Sequence, residues 1–163
     1  MKKCVGLLIL MVFLTGCGAA PTFETVNDVY VAQVSAPVRQ ILLDLPSDAT
    51  VMTMEGEDGS RLYLCKDYSV VVQTMEAGDL DRSIRQMSGF SGDDLTVMGT
   101  QDGDFRRYSF VWCCAGETGN QLAKGVIIDD GNYHYAMTVM APEDMAGELA
   151  SQWQVLLDSF LAL

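Results

Sequence analysis

The segment 133-YHYAMTVMAP-142 joins a strand to a helix near the end of this 163-residue sequence. Within it, four apolar residues alternate with their neighbours: Tyr133, Tyr135, Met137 and Val139. This period of two is typical of a strand with one face against a core. Pro142 suits a first helical position, and apolar residues then recur every three or four positions: Met145, Leu149, Trp153, Leu156 and Phe160. The segment therefore predicts a sheet covered by a long C-terminal helix.

The chain before this segment consists of short β-prone runs separated by turn residues. The runs span residues 39–45, 51–54, 61–65, 68–75, 95–100, 105–114, 122–128 and 133–140. Asp58-Gly59, Asp102-Gly103 and Asp130-Gly131 each lie between two runs. Asp-Gly tolerates the positive φ angles that tight hairpins need, so we expect an antiparallel sheet built from hairpins.

One short helix is expected in the middle of the chain. Asp79 is a good N-cap, and Gly89 can adopt the left-handed conformation that ends a helix. Between them, Leu80, Ile84 and Met87 have helical spacing. Strands, a helix, more strands and a final helix indicate an α+β fold. It would have a single antiparallel β-sheet flanked by a short central helix and a long C-terminal helix.

A family resemblance follows from these elements. The early run Leu42-Leu43-Asp44-Leu45-Pro46, the hairpin-rich middle, the strand at 133–139 and a helix ending at Ser159-Phe160 together resemble the PsbP-like fold. That fold is known from extrinsic proteins of photosystem II and from bacterial lipoproteins. The chain departs from it at Ser47-Asp48-Ala49, where the family often has an aromatic residue. The resemblance covers about residues 38–163 and implies binding or assembly rather than catalysis.

The N-terminus carries the features of an export signal. Lys2 and Lys3 precede an apolar run at residues 5–14, which is half of the ~20 residues that a membrane-spanning helix needs. The next residues, Leu14-Thr15-Gly16-Cys17, resemble the lipobox of bacterial lipoproteins. In that family the cysteine is acylated, for example with palmitate, and becomes the new N-terminus. The alternative is an ordinary signal peptide cut near Ala19-Ala20, which leaves no anchor.

The lipobox resemblance divides the chain into three parts. Residues 1–16 would be the lipoprotein signal peptide, residues 17–36 the acylated Cys17 with its tether, and residues 37–163 the PsbP-like domain. Loss of the signal leaves 8 basic and 22 acidic residues, a formal charge of −14. Such a domain is repelled by nucleic acid and by anionic lipid. We therefore expect a protein on the extracytoplasmic side of the cell membrane that touches the membrane only through its lipid anchor.

The candidate metal ligands are Asp129, Asp130 and His134. A histidine near two carboxylates can bind a divalent cation, and His134 is the only histidine of the chain. The alternative is that Asp130-Gly131 forms a hairpin turn and His134 faces outward beside Tyr133. In that case the acidic turns and this end of the hairpin would form a recognition surface.

The cysteines leave two alternatives open. A disulfide could join Cys65 to Cys113 or to Cys114, since neighbours on a strand face opposite sides. Otherwise all three are free thiols. No zinc-ligand spacing, nucleophile elbow or phosphate-binding glycine loop is present, so we expect neither a cofactor nor an enzyme. The sequence predicts a lipoprotein that binds a protein or a small envelope component; the alternative is a divalent-metal-binding envelope protein.

Overall fold

A seven-stranded sheet, entirely antiparallel, carries the fold. The computed structural model describes residues 36–53, 60–117 and 119–163, and Pro37–Leu163 form one compact unit. Its elements are β1 (Ile41–Leu42), β2 (Thr50–Thr53), β3 (Arg61–Leu64), β4 (Ser69–Glu76), α1 (Leu80–Ser88), a 3-10 turn (Gly92–Asp94), β5 (Met98–Asp102), β6 (Phe105–Gly116), β7 (Gly119–Asp129), β8 (Tyr133–Pro142), α2 (Ala146–Ser159) and β9 (Leu161–Ala162). The strand order is β2-β3-β4-β8-β7-β6-β5. An antiparallel sheet with two helices confirms the predicted class in outline.

One face of the sheet packs against α2. Leu149, Trp153 and Leu156 contact a core that strands β4, β7 and β8 supply. The alternating residues of β8 point into this core, and Tyr135 and Met137 are fully buried there. The predicted apolar stripe of the C-terminal helix is therefore the surface that binds it to the sheet.

The other face packs against α1. Ile84 lies over Phe110 and Trp112 of β6, whose stacked rings have centroids 5.3 Å apart. Asp79 caps the helix by accepting a hydrogen bond from the N–H of Asp81, and Gly89 ends it at φ +80°. Both predicted ends of this helix are confirmed.

The predicted start of the C-terminal helix is wrong. Pro142 is the last residue of β8 and lies opposite Gln121 of β7, and α2 begins only at Ala146. β8 therefore stays paired with β7 as far as Pro142, the residue that the sequence predicted to begin a helix. β4 begins with Ser69 opposite Met140, so among the described residues no strand pairs with the other side of Pro142, where a residue without an N–H is tolerated.

A second, two-stranded sheet was not predicted. Only Ile41 and Leu42 of the predicted run at 39–45 form a strand, which pairs with Ala162 and Leu161 of β9. The N–H of Leu163 adds a bond of 2.9 Å to the carbonyl of Gln40. Further along this segment, Leu43 and Leu45 pack against the main core.

Arg107 of β6 holds the end of α2. Its guanidinium donates hydrogen bonds to the carbonyl oxygens of Leu157 and Phe160, the latter at 3.0 Å. These carbonyls lie at the helix C-terminus, where the regular pattern of helical hydrogen bonds ends, and Leu157 also accepts the N–H of Phe160 at 3.4 Å. A cation is favourable there because the helix dipole is negative at this end.

Two of the three predicted Asp-Gly hairpins are confirmed. Gly103, between β5 and β6, has φ +59°, and Gly131, between β7 and β8, has φ +87°. Asp58-Gly59 lies outside the described residues, as do the predicted signal peptide and Cys17. In the part of the chain that the structure describes, no helix has the length and apolar character to cross a membrane.

Candidate functional site

Asp129 and Asp130 hold the turn between β7 and β8 together. Asp129 Oδ1 accepts a hydrogen bond of 2.8 Å from the N–H of Gly131. Asp130 Oδ1 accepts bonds of 2.9 and 2.7 Å from the N–H groups of Asn132 and Tyr133. Aspartates commonly stabilise turns by bonding to backbone two residues on. Both carboxylates therefore have structural partners within their own loop.

The three predicted metal ligands do not converge. Asp129 Oδ1 lies 3.8 Å from His134 Nε2. Asp130 instead directs Oδ2 to Arg39 Nε at 3.0 Å and to the Tyr135 hydroxyl at 3.1 Å. Across residues 36–53, 60–117 and 119–163, no group of three or more His, Cys, Asp or Glu side chains is arranged to hold a metal ion. The cation that pairs with Asp130 is therefore the guanidinium of Arg39.

His134 is buried, which corrects the expectation that it faces outward. Its side chain is 2% exposed and lies under α1, where its Nδ1 is 2.8 Å from the Ser83 hydroxyl. On the sheet its neighbours are Met75 of β4 and Asp129 of β7. The alternation correctly predicts that His134 and Tyr135 face opposite sides, but α1 covers the side that was expected to be free. His134 is a polar contact between helix and sheet.

Ser83, His134 and Asp129 have the residue types of a nucleophilic triad, but their geometry fits a structural contact. The 3.8 Å between Asp129 and His134 exceeds a hydrogen bond. Ser83 is 5% exposed, with its hydroxyl turned to the histidine. A nucleophile has to reach its substrate. The buried hydroxyl joins α1 to the sheet instead.

Stability should depend on the ionisation of His134. Burial lowers the pKa of His134 from its ordinary 6.5, although Asp129 and Asp130 act in the opposite direction. The unfolded chain then binds the proton more readily than the folded domain. The contribution of neutral His134 is thus present above pH 6.5 and is lost as the pH falls below it.

We expect His134→Gln to remove this dependence, because glutamine cannot titrate. The measurement is the free energy of unfolding in urea from about pH 8 to about pH 5 for both proteins. The carboxylates titrate in both, so the difference between the two curves isolates His134. Parallel curves over this range would contradict the assignment.

An open cavity of about 440 Å³ lies on the α2 face, between segment 39–45 and strands β3 and β4. We call it the Arg39–Arg61 groove; its lining includes Arg39, Ile41, Leu43, Leu45, Arg61, Tyr63, Val72 and Thr74. The buried residues that pack with α2 come from β4, β7 and β8, whereas Tyr63 of β3 is partly buried and packs against this cluster together with Leu43 and Leu45. The volume is within the ~300–1,000 Å³ of small-molecule sites.

The two ends of the groove differ in character. Arg61 lies opposite Val72, and Tyr63 lies opposite Val70 two residues along each strand. The side chains of these two pairs are therefore on the same face of the sheet. Thr74 lies beyond Val72, and its neighbour Tyr135 binds the backbone N–H of Arg39 at 2.9 Å. Arg61 and the backbone of Arg39 are thus near the Thr74 end of the groove. Three apolar side chains line the remainder: Leu43, Leu45 and Tyr63.

The β7–β8 turn positions Arg39 at this end. Arg39 donates from Nε to Asp130, and its guanidinium carbon lies 4.9 Å from the centre of the Phe105 ring. Burial by itself would raise the pKa of Asp130, but bonds from the backbone of Tyr133 and Asn132, and from Tyr135 and Arg39, outweigh it and lower that pKa. The carboxylate therefore stays ionised and holds the cation in place.

The cysteines are free thiols in the described structure. Cys65 follows β3 and Cys113 lies on β6, with β4, β8 and β7 between them in the sheet. At about 4.8 Å per strand they are about 19 Å apart, whereas a disulfide needs Cα atoms within about 7 Å. The predicted Cys65–Cys113 pairing is not compatible with this strand order.

No protein-family model matches the chain, and no curated protein matches it in sequence. Solved structures do match. The cyanobacterial PsbP protein CyanoP of Synechocystis sp. PCC 6803 is 13% identical, with a TM-score of 0.56 over 80% of this chain and 96% of that one. LpqN of Mycobacterium tuberculosis, involved in cell envelope biogenesis, is 12% identical, with a TM-score of 0.51 over 79% of this chain and 87% of LpqN.

A protein of Bacteroides thetaiotaomicron is 15% identical, with a TM-score of 0.52; the match covers 76% of this chain but 45% of that protein. At such identities the likeness concerns the fold alone. It confirms that the chain has a PsbP-like fold.

Proposed function

We propose that this chain is a membrane-anchored extracytoplasmic lipoprotein whose PsbP-like domain is a non-catalytic binding module. The observation that carries the proposal is the Arg39–Arg61 groove, a concave site lined by two arginines together with apolar side chains. The lipobox sequence Leu14-Thr15-Gly16-Cys17 supports the anchor. The shared fold of LpqN, itself a protein of cell envelope biogenesis, supports the location.

Binding is better supported than chemistry. The side chains at the groove are arginine, glutamine, threonine and apolar residues, none of which is an ordinary nucleophile beside a base. His134 lies under the opposite face of the sheet and is engaged with Ser83. The metal-binding alternative is less well supported, because Asp130 is held by Arg39.

Replacing Cys17 with serine should release the protein from the membrane fraction or leave it as unprocessed precursor. Serine has no thiol to carry a diacylglyceryl group, and stable anchoring needs about two acyl chains. The measurement is cell fractionation with metabolic palmitate labelling and the mass of the mature N-terminus.

The matched control is Cys113→Ser, because Cys113 is an exposed thiol in the folded domain. It should keep both the label and the membrane location. If Cys17→Ser keeps the label, with no precursor accumulating, the lipobox interpretation is wrong.

A further inference from the structure

We infer that the open edge of β6 pairs with the same edge of a second copy of this chain, antiparallel, with Cys113 opposite Cys113 of that copy. The two seven-stranded sheets would then form one continuous sheet. This interface goes beyond the proposed function. It uses neither the lipid anchor nor the Arg39–Arg61 groove, from which β8 and β7 separate it in the sheet.

The second half of β6 has a strand on one side only. Its pairing with β5 ends at Ser109, whereas its pairing with β7 continues to Gly116. Leu95 and Val97, just before β5, direct their side chains to the cluster under α1, and no backbone hydrogen bond joins this stretch to β6. Residues 110–116 therefore have β7 on one side and, within the described residues, no strand on the other.

The backbone groups of Val111, Cys113 and Ala115 point to this open side. At the β5–β6 hairpin, Phe105 lies opposite Asp102 across a two-residue loop, and residues in that position exchange their N–H and C=O groups. Every second residue of β6 after Phe105 directs its backbone groups to the same side. Past the end of β5, no strand or loop of the described residues supplies partners for them.

The side chains at this edge are small or apolar, and they are exposed. Phe110 and Trp112 face α1, so Val111 and Cys113 lie on the other face of the sheet. The helix α2 leaves them uncovered, since Val111 is 46% exposed and Cys113 is also exposed. A strand added at this edge would satisfy the backbone groups and remove apolar surface from water at the same time.

An identical strand complements this edge. With a two-fold axis at Cys113, antiparallel pairing puts Val111 opposite Ala115 of the second copy, and the outward residues of the two strands exchange about six hydrogen bonds. No like charges meet, because residues 110–116 contain no Asp, Glu, Lys or Arg. Proteins commonly protect an open edge with charged residues or proline, and this segment has neither.

The charge of the domain sets the strength and the choice of partner. Two domains with a formal charge of −14 repel each other, although exposed charges more than about 10 Å apart are largely screened. Six residues of strand span about 20 Å, so the contact belongs to the small, weak class of interfaces. A basic peptide would need carboxylates at the edge, and residues 110–116 have none. We therefore expect reversible pairing between copies, which a disulfide can trap.

The Cys113 thiols report the pairing. In a hydrogen-bonded antiparallel pair the two Cα atoms are about 5.5 Å apart, which a disulfide can span. The test adds oxidised glutathione to the chain from Gly18 onward, which contains the compact unit Pro37–Leu163. Two Cys113 thiols form one disulfide, and their two electrons and two protons convert oxidised glutathione to two glutathione thiols. Non-reducing electrophoresis measures the rate, and mass spectrometry of the linked peptide identifies the cysteine.

We expect the wild type to form the covalent dimer at least about tenfold faster than the double variant Cys113→Ser and Glu148→Cys. That variant has its exposed thiol on α2, where only random collision brings two copies together. Val111→Lys puts an ammonium group at the edge and should slow the wild-type reaction at least about tenfold. The matched control is Val155→Lys, because Val155 is an exposed valine of α2, and it should leave the rate unchanged.

Ala115→Pro is a second disrupting variant. Proline removes an N–H that points to the open side, while the neighbouring residues of β6 keep their bonds to β7. We expect the same loss of rate as for Val111→Lys. Thermal unfolding of each variant checks that it folds.

Three results would overturn the inference. The first is an equal rate for Cys113 and for the thiol on α2, which would show a monomer with an open edge. The second is a dimer linked only through Cys65 or Cys114. The third is an unchanged rate in both disrupting variants. Cys17 is absent from the tested chain, so none of these results bears on the anchor.

Discussion

Replacing Gly125 with alanine is expected to lower the free energy of unfolding by about 2–3 kcal/mol, because the site has no room for a methyl group. A Cβ on Gly125 would lie 2.8 and 3.0 Å from ring atoms of Phe110 and 3.0 Å from Trp112. Gly125 is directly opposite Phe110 in the β6–β7 pair, and both rings are buried under α1. Neither ring can move without disturbing Ile84 above it.

Urea unfolding of Gly125→Ala measures this effect, with Gly147→Ala as the matched control. Gly147 is an exposed residue in the first turn of α2, and a Cβ there meets no atom within 4 Å. Alanine favours a helix over glycine by about 1 kcal/mol, so the control should be slightly stabilised. The same substitution thus has opposite signs at the two sites. If Gly125→Ala were as stable as wild type, the close packing of Phe110 on β7 would be wrong.

The second large effect is expected from Arg107→Met, which should cost about 2–4 kcal/mol. Methionine keeps much of the side-chain volume but removes the charged donor from the carbonyls of Leu157 and Phe160, and Leu157 keeps the N–H of Phe160 at 3.4 Å. Hydrogen bonds from charged groups contribute about 1.5–3 kcal/mol each. Burial lowers the pKa of Arg107, with Asp158 and Asp102 acting against it, and that burial offsets part of the gain.

Urea unfolding gives the size of this loss, and amide hydrogen exchange gives its location. Exchange should accelerate first in the last turn of α2 and in β9, which follows it directly. Arg107→Lys should lie between methionine and wild type, because one ammonium group cannot reproduce the planar fork that meets two carbonyls. Arg106→Gln, on the exposed neighbouring side chain, should have little effect. Equal stability of Arg107→Met and wild type would show that α2 needs no cation at its end.

The strands and helices could largely be predicted because their signals are local. Period-two alternation in β8, the Asp-Gly turns that precede β6 and β8, and the Asp79 and Gly89 caps of α1 each depend on a few adjacent residues. The errors arose where distant segments decide the outcome. Pairing with β7 keeps Pro142 in a strand, and pairing with β9 reduces segment 39–45 to a strand of two residues.

The candidate site was harder to predict because it is assembled from the two ends of the domain. Arg39 and Asp130 are 91 residues apart, and nothing near either residue indicates the other. Ser83 and His134 are likewise 51 residues apart, so the burial of His134 under α1 carried no local signal. One local signal did exist for the groove: the alternation of Arg61, Tyr63 and Cys65 places an arginine on a core-facing side of β3. A cation in that register is uncommon and indicates a site.

The small sheet of β1 and β9 has a mechanical consequence for a protein held at one end. A pull on the chain at Pro37 would reach β1 before any strand of the main sheet. This segment is held by two residue pairs, Ile41–Ala162 and Leu42–Leu161, by the Gln40–Leu163 bond and by the bonds of Arg39. The segment that would peel away is also the outer wall of the Arg39–Arg61 groove. If the chain is anchored through Cys17 as proposed, force along it would therefore detach one wall of the groove before it reached a strand of the main sheet.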